Sequence, residues 1–273
     1  MKKILILANE TIAGKKLLDS IIARGGEDVR FHVVVPQARP RHGNVVYDEV
    51  VRDSAQVRVD LALAFLKDEG LKGSGEVGDA DPFLAATDAI EAEGIDEVLV
   101  STLPAETSGW LRRDLPERLR EATGLPVEHI VVDLAAEGLP FGVTLVAANV
   151  TASSSELSDR LKALAHEGPR RFIVVVPQAA FHGGAVKDAR ERLAALLGSL
   201  REDGIVAAGM IGDPDPYTAI MNAVQYFHIS EIVISTLPSG SSKWVADKLV
   251  ERVQAATNKP VEHIESTPVG AEA

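Results

Sequence analysis

Ser101-Thr102-Leu103-Pro104 and Ser235-Thr236-Leu237-Pro238 are one tetrapeptide written twice, each time at the close of an apolar run, and their hydroxyls suit hydrogen bonding to a polar ligand. A hydroxyl becomes a nucleophile only beside a base that takes its proton, and the sequence offers none. It contains no Gly-x-Ser-x-Gly, no Gly-x-x-x-x-Gly-Lys-Ser/Thr and no paired catalytic carboxylates. The expected activity is binding and not catalysis. Slow nucleotide hydrolysis stays open as a weaker alternative, with no residue to act as its base.

Setting Ser101 on Ser235, an offset of 134 residues, brings other pairs into register. Gly78-Asp79 falls on Gly212-Asp213, Glu97 on Glu231, Trp110 on Trp244, and Pro126-Val127-Glu128-His129-Ile130 on Pro260-Val261-Glu262-His263-Ile264. Further polar groups also come in twos. Asn9 and Thr11 match Asn149 and Thr151, Pro36-Gln37 matches Pro177-Gln178, and Ser108-Gly109 has a counterpart in Ser239-Gly240-Ser241-Ser242. Each pair has a structural alternative: a helix cap for the hydroxyls, a turn with an N-cap for Gly-Asp, a strand end for Pro-Gln. His42-Gly43 and His182-Gly183 are lone loop histidines with no companion ligands, so no metal site is expected. His129 and His263 read as half-buried sheet residues, and Trp110 and Trp244 as packing residues.

A repeat of roughly 135 residues exceeds the period of a solenoid unit and matches a domain, so two homologous domains are expected, at residues 1–134 and 141–268. The 273 residues are 46% hydrophobic, the composition of an ordinary globular chain. A formal charge of −12 argues against a nucleic-acid partner. Arg39-Pro40-Arg41-His42 and Arg112-Arg113 are the clearest basic groups and read as solvated surface. The chain has no cysteine, which fits a reducing cytoplasm. No run is long enough to span a bilayer, and Met1 to Leu7 reads as a first strand and not a signal peptide.

The elements that must position these residues follow from hydrophobic period. Ile4 to Ala8, Phe31 to Val35, Leu71 to Val77, Glu97 to Ser101 and Val127 to Val132 are strands, mostly continuous apolar runs of the kind buried on both faces of a parallel sheet. Between them lie helices with Leu17, Leu18, Ile21 and Ile22 as one stripe, capped by Thr11, and a long helix from Val46 to Glu69 bearing Val50, Val57, Leu61 and Phe65. Others run over Phe83 to Glu93, capped by Asp81 with Pro82 in its first turn, and from Trp110 through Leu119, where Asp114 and Glu117 have capping-box spacing. The second copy repeats the order near Val143 to Ala148, Phe172 to Val176, Val206 to Ile211, Glu231 to Ser235 and Val261 to Ile264. Its second helix carries Val186, Ala189, Leu193, Leu196 and Leu200, and about seven fewer residues precede it. The fold class is α/β: two tandem doubly wound domains, each a parallel five-stranded sheet with helices on both faces.

With those elements and motifs in place, the chain resembles a tandem universal stress protein, over nearly all of both halves. The resemblance implies strand order 3-2-1-4-5, an adenine nucleotide alpha hydrolase-like architecture, and a ligand at the switch point between strands one and four. Candidate ligand contacts are then Asn9, Thr11, Pro36, Gly78, Asp79, Ser101, Thr102, Ser108 and Gly109. In the second copy they are Asn149, Thr151, Pro177, Gly212, Asp213, Ser235, Thr236, Ser239, Gly240, Ser241 and Ser242. The ligand would be ATP, accompanied by Mg, or AMP, or another small anion. No metal or catalytic residue is assigned.

The sequence departs from the nucleotide-binding pattern of that family, Gly-x-x-Gly, nine residues, then Gly-Ser or Gly-Thr. Its glycines become Ser101 and Pro104 in the first copy and Ser235 and Pro238 in the second, and its terminal pair becomes Asp114-Leu115 and Asp247-Lys248. The family's Asp after strand one is Asn9 or Asn149. Proline removes a donor and a carboxylate repels phosphate. Two readings therefore stand: a stress-response and signalling module that binds a nucleotide or small anion, and an interaction or scaffold module with degenerate pockets. The resemblance further implies that strand five of each repeat pairs as an intrachain pseudo-dimer, or across a homodimer. A cytoplasmic location is expected.

Overall fold

Strands without a polar face need cover on both sides, and the chain supplies a helix after nearly every one. The computed structural model describes residues 1–39, 47–105, 108–110, 114–178 and 185–267. They divide into two units, the first made of Met1–Ala38 and Ala55–Pro140 and the second of the remainder.

Unit 1 runs β1 (Lys2–Leu7), a 3-10 turn (Glu10–Ala13), α1 (Lys15–Arg24), β2 (Val29–Pro36), α2 (Asp48–Asp68), β3 (Lys72–Gly78) and α3 (Pro82–Glu93). It continues with β4 (Glu97–Thr102), α4 (Leu115–Thr123), β5 (Val127–Val131) and α5 (Leu134–Glu137). Unit 2 runs β6 (Gly142–Ala147), α6 (Ser155–His166), β7 (Arg170–Pro177), α7 (Ala185–Glu202) and β8 (Ala207–Gly212). It ends with α8 (Pro216–Tyr226), β9 (Glu231–Thr236), α9 (Lys243–Ala246), α10 (Leu249–Thr257) and β10 (Val261–Glu265).

Both sheets are parallel and five-stranded, in the orders β3-β2-β1-β4-β5 and β8-β7-β6-β9-β10, which is the expected 3-2-1-4-5 twice. Phe31, Leu5, Leu7 and Leu99 of unit 1 and Phe172, Leu145 and Val233 of unit 2 are almost wholly buried between the helical layers. β5 and β10 end their sheets, each bonded to one neighbour, β4 and β9.

Glycines in the weak third strand make room for a helix. A Cβ on Gly73 would lie 2.3 Å from Leu66 Cδ1, and one on Gly209 would lie 2.4 Å from Leu193 Cδ1. Asp81 and Asp215 cap α3 and α8 through Phe83 and Thr218 N–H at 2.8 and 2.9 Å, with proline in the first turn. Four local expectations fail. The helix expected from Trp110 starts only at Leu115, as α4, and leaves Trp110 in a turn before it. Thr11 caps nothing: α1 starts after Gly14, where a Cβ would come within 2.2 Å of Val132. Ile22 leaves the α1 stripe and is exposed. Asp114 makes no side-chain cap: its backbone is left-handed, φ 48°, and not the extended conformation of an N-cap residue.

The first turns of α2 belong to unit 2. There Asp53 accepts the Ile211 N–H at 3.1 Å and pairs with Arg190 at 3.2 Å. Both oxygens of this buried carboxylate are thereby satisfied by charge-assisted hydrogen bonds.

Candidate functional site

In a doubly wound sheet the crossovers leave the central strands in opposite directions, and a crevice opens where β1 meets β4 and β6 meets β9. The short turns after β1 and β6 put Asn9 and Asn149 at its rim, with Thr11 and Thr151 pointing inward. In unit 1 a cleft of about 90 Å³ gathers Asn9, Thr11, Ser101, Thr102, Ser108 and Gly109, together with Glu10, Leu103 and Trp110. In unit 2 a cleft of about 180 Å³ gathers Asn149, Thr151, Ser235, Thr236, Ser241 and Ser242, with Val150, Leu237, Lys243 and Trp244. A second, of about 390 Å³, shares Asn149, Lys243 and Trp244 and extends past Gln178, Pro214, Asp215 and Pro216 to Asp247, Leu249 and Arg252.

The remaining candidates have other work. Pro36 and Pro177 close β2 and β7 opposite Gly78 and Gly212. A Cβ on either glycine would stand 2.6 Å from Ala85 or Ala219 Cβ, so helix packing requires them. Asp79 and Asp213 accept the N–H of Asp81 and Asp215 at 2.7 and 2.9 Å. Burial pushes the Asp213 carboxyl up, with the Asp215 charge adding to it and the backbone bond opposing. Ser239 donates its N–H (3.2 Å) and its hydroxyl to Glu265, holding that carboxyl below its usual range. Gly240, at φ 96°, makes the turn. Ser242 caps α9 through Val245 N–H at 3.3 Å while also lining the cleft.

The floors of the two clefts differ. In unit 2, Thr151 Oγ1 donates to the Ser235 carbonyl at 3.1 Å. Ser235 Oγ lies 2.9 Å from Thr151 Oγ1 and 2.9 Å from Ser266 Oγ. Asn149 Oδ1 accepts from Arg192 at 2.8 Å. In unit 1, Thr11 Oγ1, Ser101 Oγ and Asn9 Oδ1 are buried without a hydrogen-bond partner among the described residues. Asn9 Nδ2 donates to the Pro36 carbonyl at 3.4 Å, which sets the amide with its oxygen on the other side. Gln178 Nε2 is a further buried donor without a partner among the described residues.

Thr102 Oγ1 and Thr236 Oγ1 meet Nε2 of His129 and His263, each at 2.8 Å. Thr236 gives its own proton to the Leu237 carbonyl at 2.8 Å, so His263 Nε2 is the donor there. Burial lowers the His129 pKa, and the nearby Arg120 charge lowers it further. The strand histidines thus brace the loop after strand four. His42 and His182 lie outside the described residues, as do Arg112 and Arg113. Among the described residues no three His, Asp or Glu side chains gather as a metal-ion set.

One correspondence needs correcting. Asp114 corresponds to Lys248, not Asp247: both are left-handed, φ 48° and 53°, and both stand just before a helix, α4 or α10. The left-handed turn survives where the nucleotide-binding pattern places its terminal glycine. Glu10, Lys243, Arg192, Arg252 and Ser266 escape sequence reasoning. Lys243 and Ser266 stand where the first copy has Gly109 and Val132, Arg192 and Arg252 recur as Arg58 and Arg118, and Glu10 stood between two expected contacts.

No family model matches the chain, and no curated protein does. Among solved structures it is similar to a universal stress protein from Archaeoglobus fulgidus, 15% identical, over 96% of each chain, with a TM-score of 0.38. It is also similar to a functionally unknown protein from Pseudomonas aeruginosa PAO1, 19% identical, over 97% of this chain and 93% of that one, with a TM-score of 0.34. Two five-stranded parallel sheets in the order 3-2-1-4-5 are the architecture implied by the resemblance to tandem universal stress proteins. Among the described residues no helix is long and apolar enough to cross a membrane.

Proposed function

We propose that the protein is a universal stress protein-like module for stress response and signalling, cytoplasmic and non-enzymatic, that binds a small ligand at a strand-one/strand-four switch point. The observation that carries this reading is the convergence of the twice-repeated Asn, Thr, Ser and Thr on one crevice in each unit. An adenine nucleotide, ATP with Mg or AMP, or another small anion fits unit 2 better. Its two adjoining clefts share Asn149, Lys243 and Trp244, and they add Arg252 and the Gln178 Nε2 donor, all suited to a ligand rich in acceptors. Asp215 and Asp247 line the same space and limit how much negative charge it welcomes.

The second reading, an interaction module whose pockets no longer take nucleotide, is favoured by Pro104 and Pro238, each of which removes a backbone donor from the loop. Thermal unfolding with millimolar ATP, ADP or AMP and magnesium separates the two. A ligand at 100 times its dissociation constant adds about 2.7 kcal/mol to the native state. AMP or ATP is expected to raise the midpoint, and Lys243→Ala with Arg252→Ala, both exposed positions, to cancel the rise. No rise with any nucleotide selects the interaction module.

A further inference from the structure

We infer that the unit 1 cleft is a site for an uncharged, hydroxyl-bearing small molecule, contacted by Asn9, Thr11 and Ser101, and that Thr151 and Ser235, the unit 2 copies of the two hydroxyl residues, are structural. The inference rests on the reading that the switch point is where a ligand sits, and it names the ligand class for one of the two.

Thr11 and Ser101 are 2% and 1% exposed, yet neither hydroxyl has a partner among the described residues, and both line the cleft. Polar groups so deeply buried are almost always paired, and leaving them unpaired opposes folding. Their counterparts Thr151 and Ser235 pair with each other and, through Ser235, with Ser266, which unit 1 lacks. Val132 and Ser266 take the same backbone position, donating to the Thr102 and Thr236 carbonyls at 2.9 and 2.8 Å, but only Ser266 offers a hydroxyl to the serine of strand four.

The chemistry of the ligand follows from the unpaired atoms. Asn9 Oδ1 only accepts, so it needs an O–H or N–H from the ligand, whereas the two hydroxyls take either role. A nucleotide phosphate, largely dianionic at neutral pH, brings acceptors in place of donors, and among the described residues the charged side chain lining this cleft is Glu10, which repels it. A sugar-type hydroxyl array satisfies all three residues, and a cleft of about 90 Å³ admits a compact molecule or one ring of a larger one.

Hydrogen exchange resolved by peptide lets each unit report on itself. Without ligand, Thr11→Val and Ser101→Ala should slow exchange of the β1 and β4 amides by roughly threefold to tenfold, because an unpaired buried hydroxyl is removed. Thr151→Val and Ser235→Ala should speed that of β6 and β9 by a similar factor. If all four variants speed exchange, the unit 1 hydroxyls are structural and the inference fails.

With ligand, millimolar ribose and adenosine should protect β1 and β4 in the parent protein and not in Ser101→Ala, while inorganic phosphate should not protect them. Stronger protection of β1 and β4 by AMP or phosphate than by adenosine overturns the ligand class but leaves the nucleotide reading intact. If neither ribose nor adenosine protects β1 and β4, the inference falls, whatever AMP does at β6 and β9. Protection of β1 and β4 by adenosine with no effect of any nucleotide on unit 2 upholds it and removes the nucleotide reading instead.

Discussion

Unit 2 closes the floor of its crevice with its own side chains, and unit 1 leaves the same floor open. Thr151, Ser235 and Ser266 form a hydroxyl network, and Arg192 holds Asn149, whereas Thr11, Ser101 and the Asn9 oxygen have no protein partner among the described residues. The sheets, the strand register and the Thr–His contacts match closely, so the difference is not one of fold. It lies in one exchange behind the repeated residues: Ser266, which bonds Ser235, stands where unit 1 has Val132. Buried polar groups with internal partners stabilise, and those without await one.

The largest effect should come from making that exchange in unit 2. Ser266 is 1% exposed, so Ser266→Val leaves Ser235 without one of its two hydroxyl contacts and should destabilise unit 2 by about 1–3 kcal/mol. Adding Ser235→Ala to that variant should cost less than the sum of the two single changes, since both ends of one bond are then gone. Urea unfolding of the singles and the double gives the coupling. Strict additivity would mean that the network contributes nothing and that the two floors differ only in appearance.

A middle-sized effect is expected from pH, in unit 1. The folded-state pKa of His129 lies below the ordinary value of about 6.5, because burial and then the Arg120 charge disfavour the imidazolium. The unfolded chain therefore takes up the proton first as pH falls. This histidine contributes stability above that value, and the contribution diminishes as pH drops through the interval down to the folded pKa. His129→Gln, which retains a hydrogen-bonding group for Thr102, should flatten the pH dependence of unit 1 exchange between about pH 7 and 5. An unchanged slope would show that His129 is not the group responsible.

Much of this was legible in the sequence. Strands buried on both faces leave unbroken apolar runs, and duplication marks shared features twice, so the sheets and the Ser-Thr-Leu-Pro loops could be located from the chain alone. Pairwise contacts between distant residues left no such mark. Arg192 reaches Asn149 across 43 positions, and Ser266 follows its strand by a single residue, so neither the hydroxyl network nor its loss at Val132 has a local signature. Gly78 and Gly212 illustrate the converse. Their repetition marks them as candidate ligand contacts, and the same repetition is explained by Ala85 and Ala219 lying where a side chain would go.

The smallest effect concerns the turn the two units share. Asp114 and Lys248 are both left-handed, a conformation in which a Cβ crowds the backbone and which Asp tolerates better than Lys. Lys248→Gly should relieve the crowding, offset in part by the greater freedom glycine gives the unfolded chain, for a net gain of about 0.5–1 kcal/mol. Asp114→Gly should gain only a few tenths of that scale. The position is also where the nucleotide-binding pattern has glycine, so the variants sharpen the contrast in function as well as in stability. With the cations of unit 2 intact, Lys243 and Arg252 among them, the Lys248→Gly variant should bind AMP no more weakly than the parent chain, measured by calorimetry. A loss of AMP binding in that variant would place the Lys248 ammonium on the ligand, and the turn would then owe its lysine to binding and not to drift.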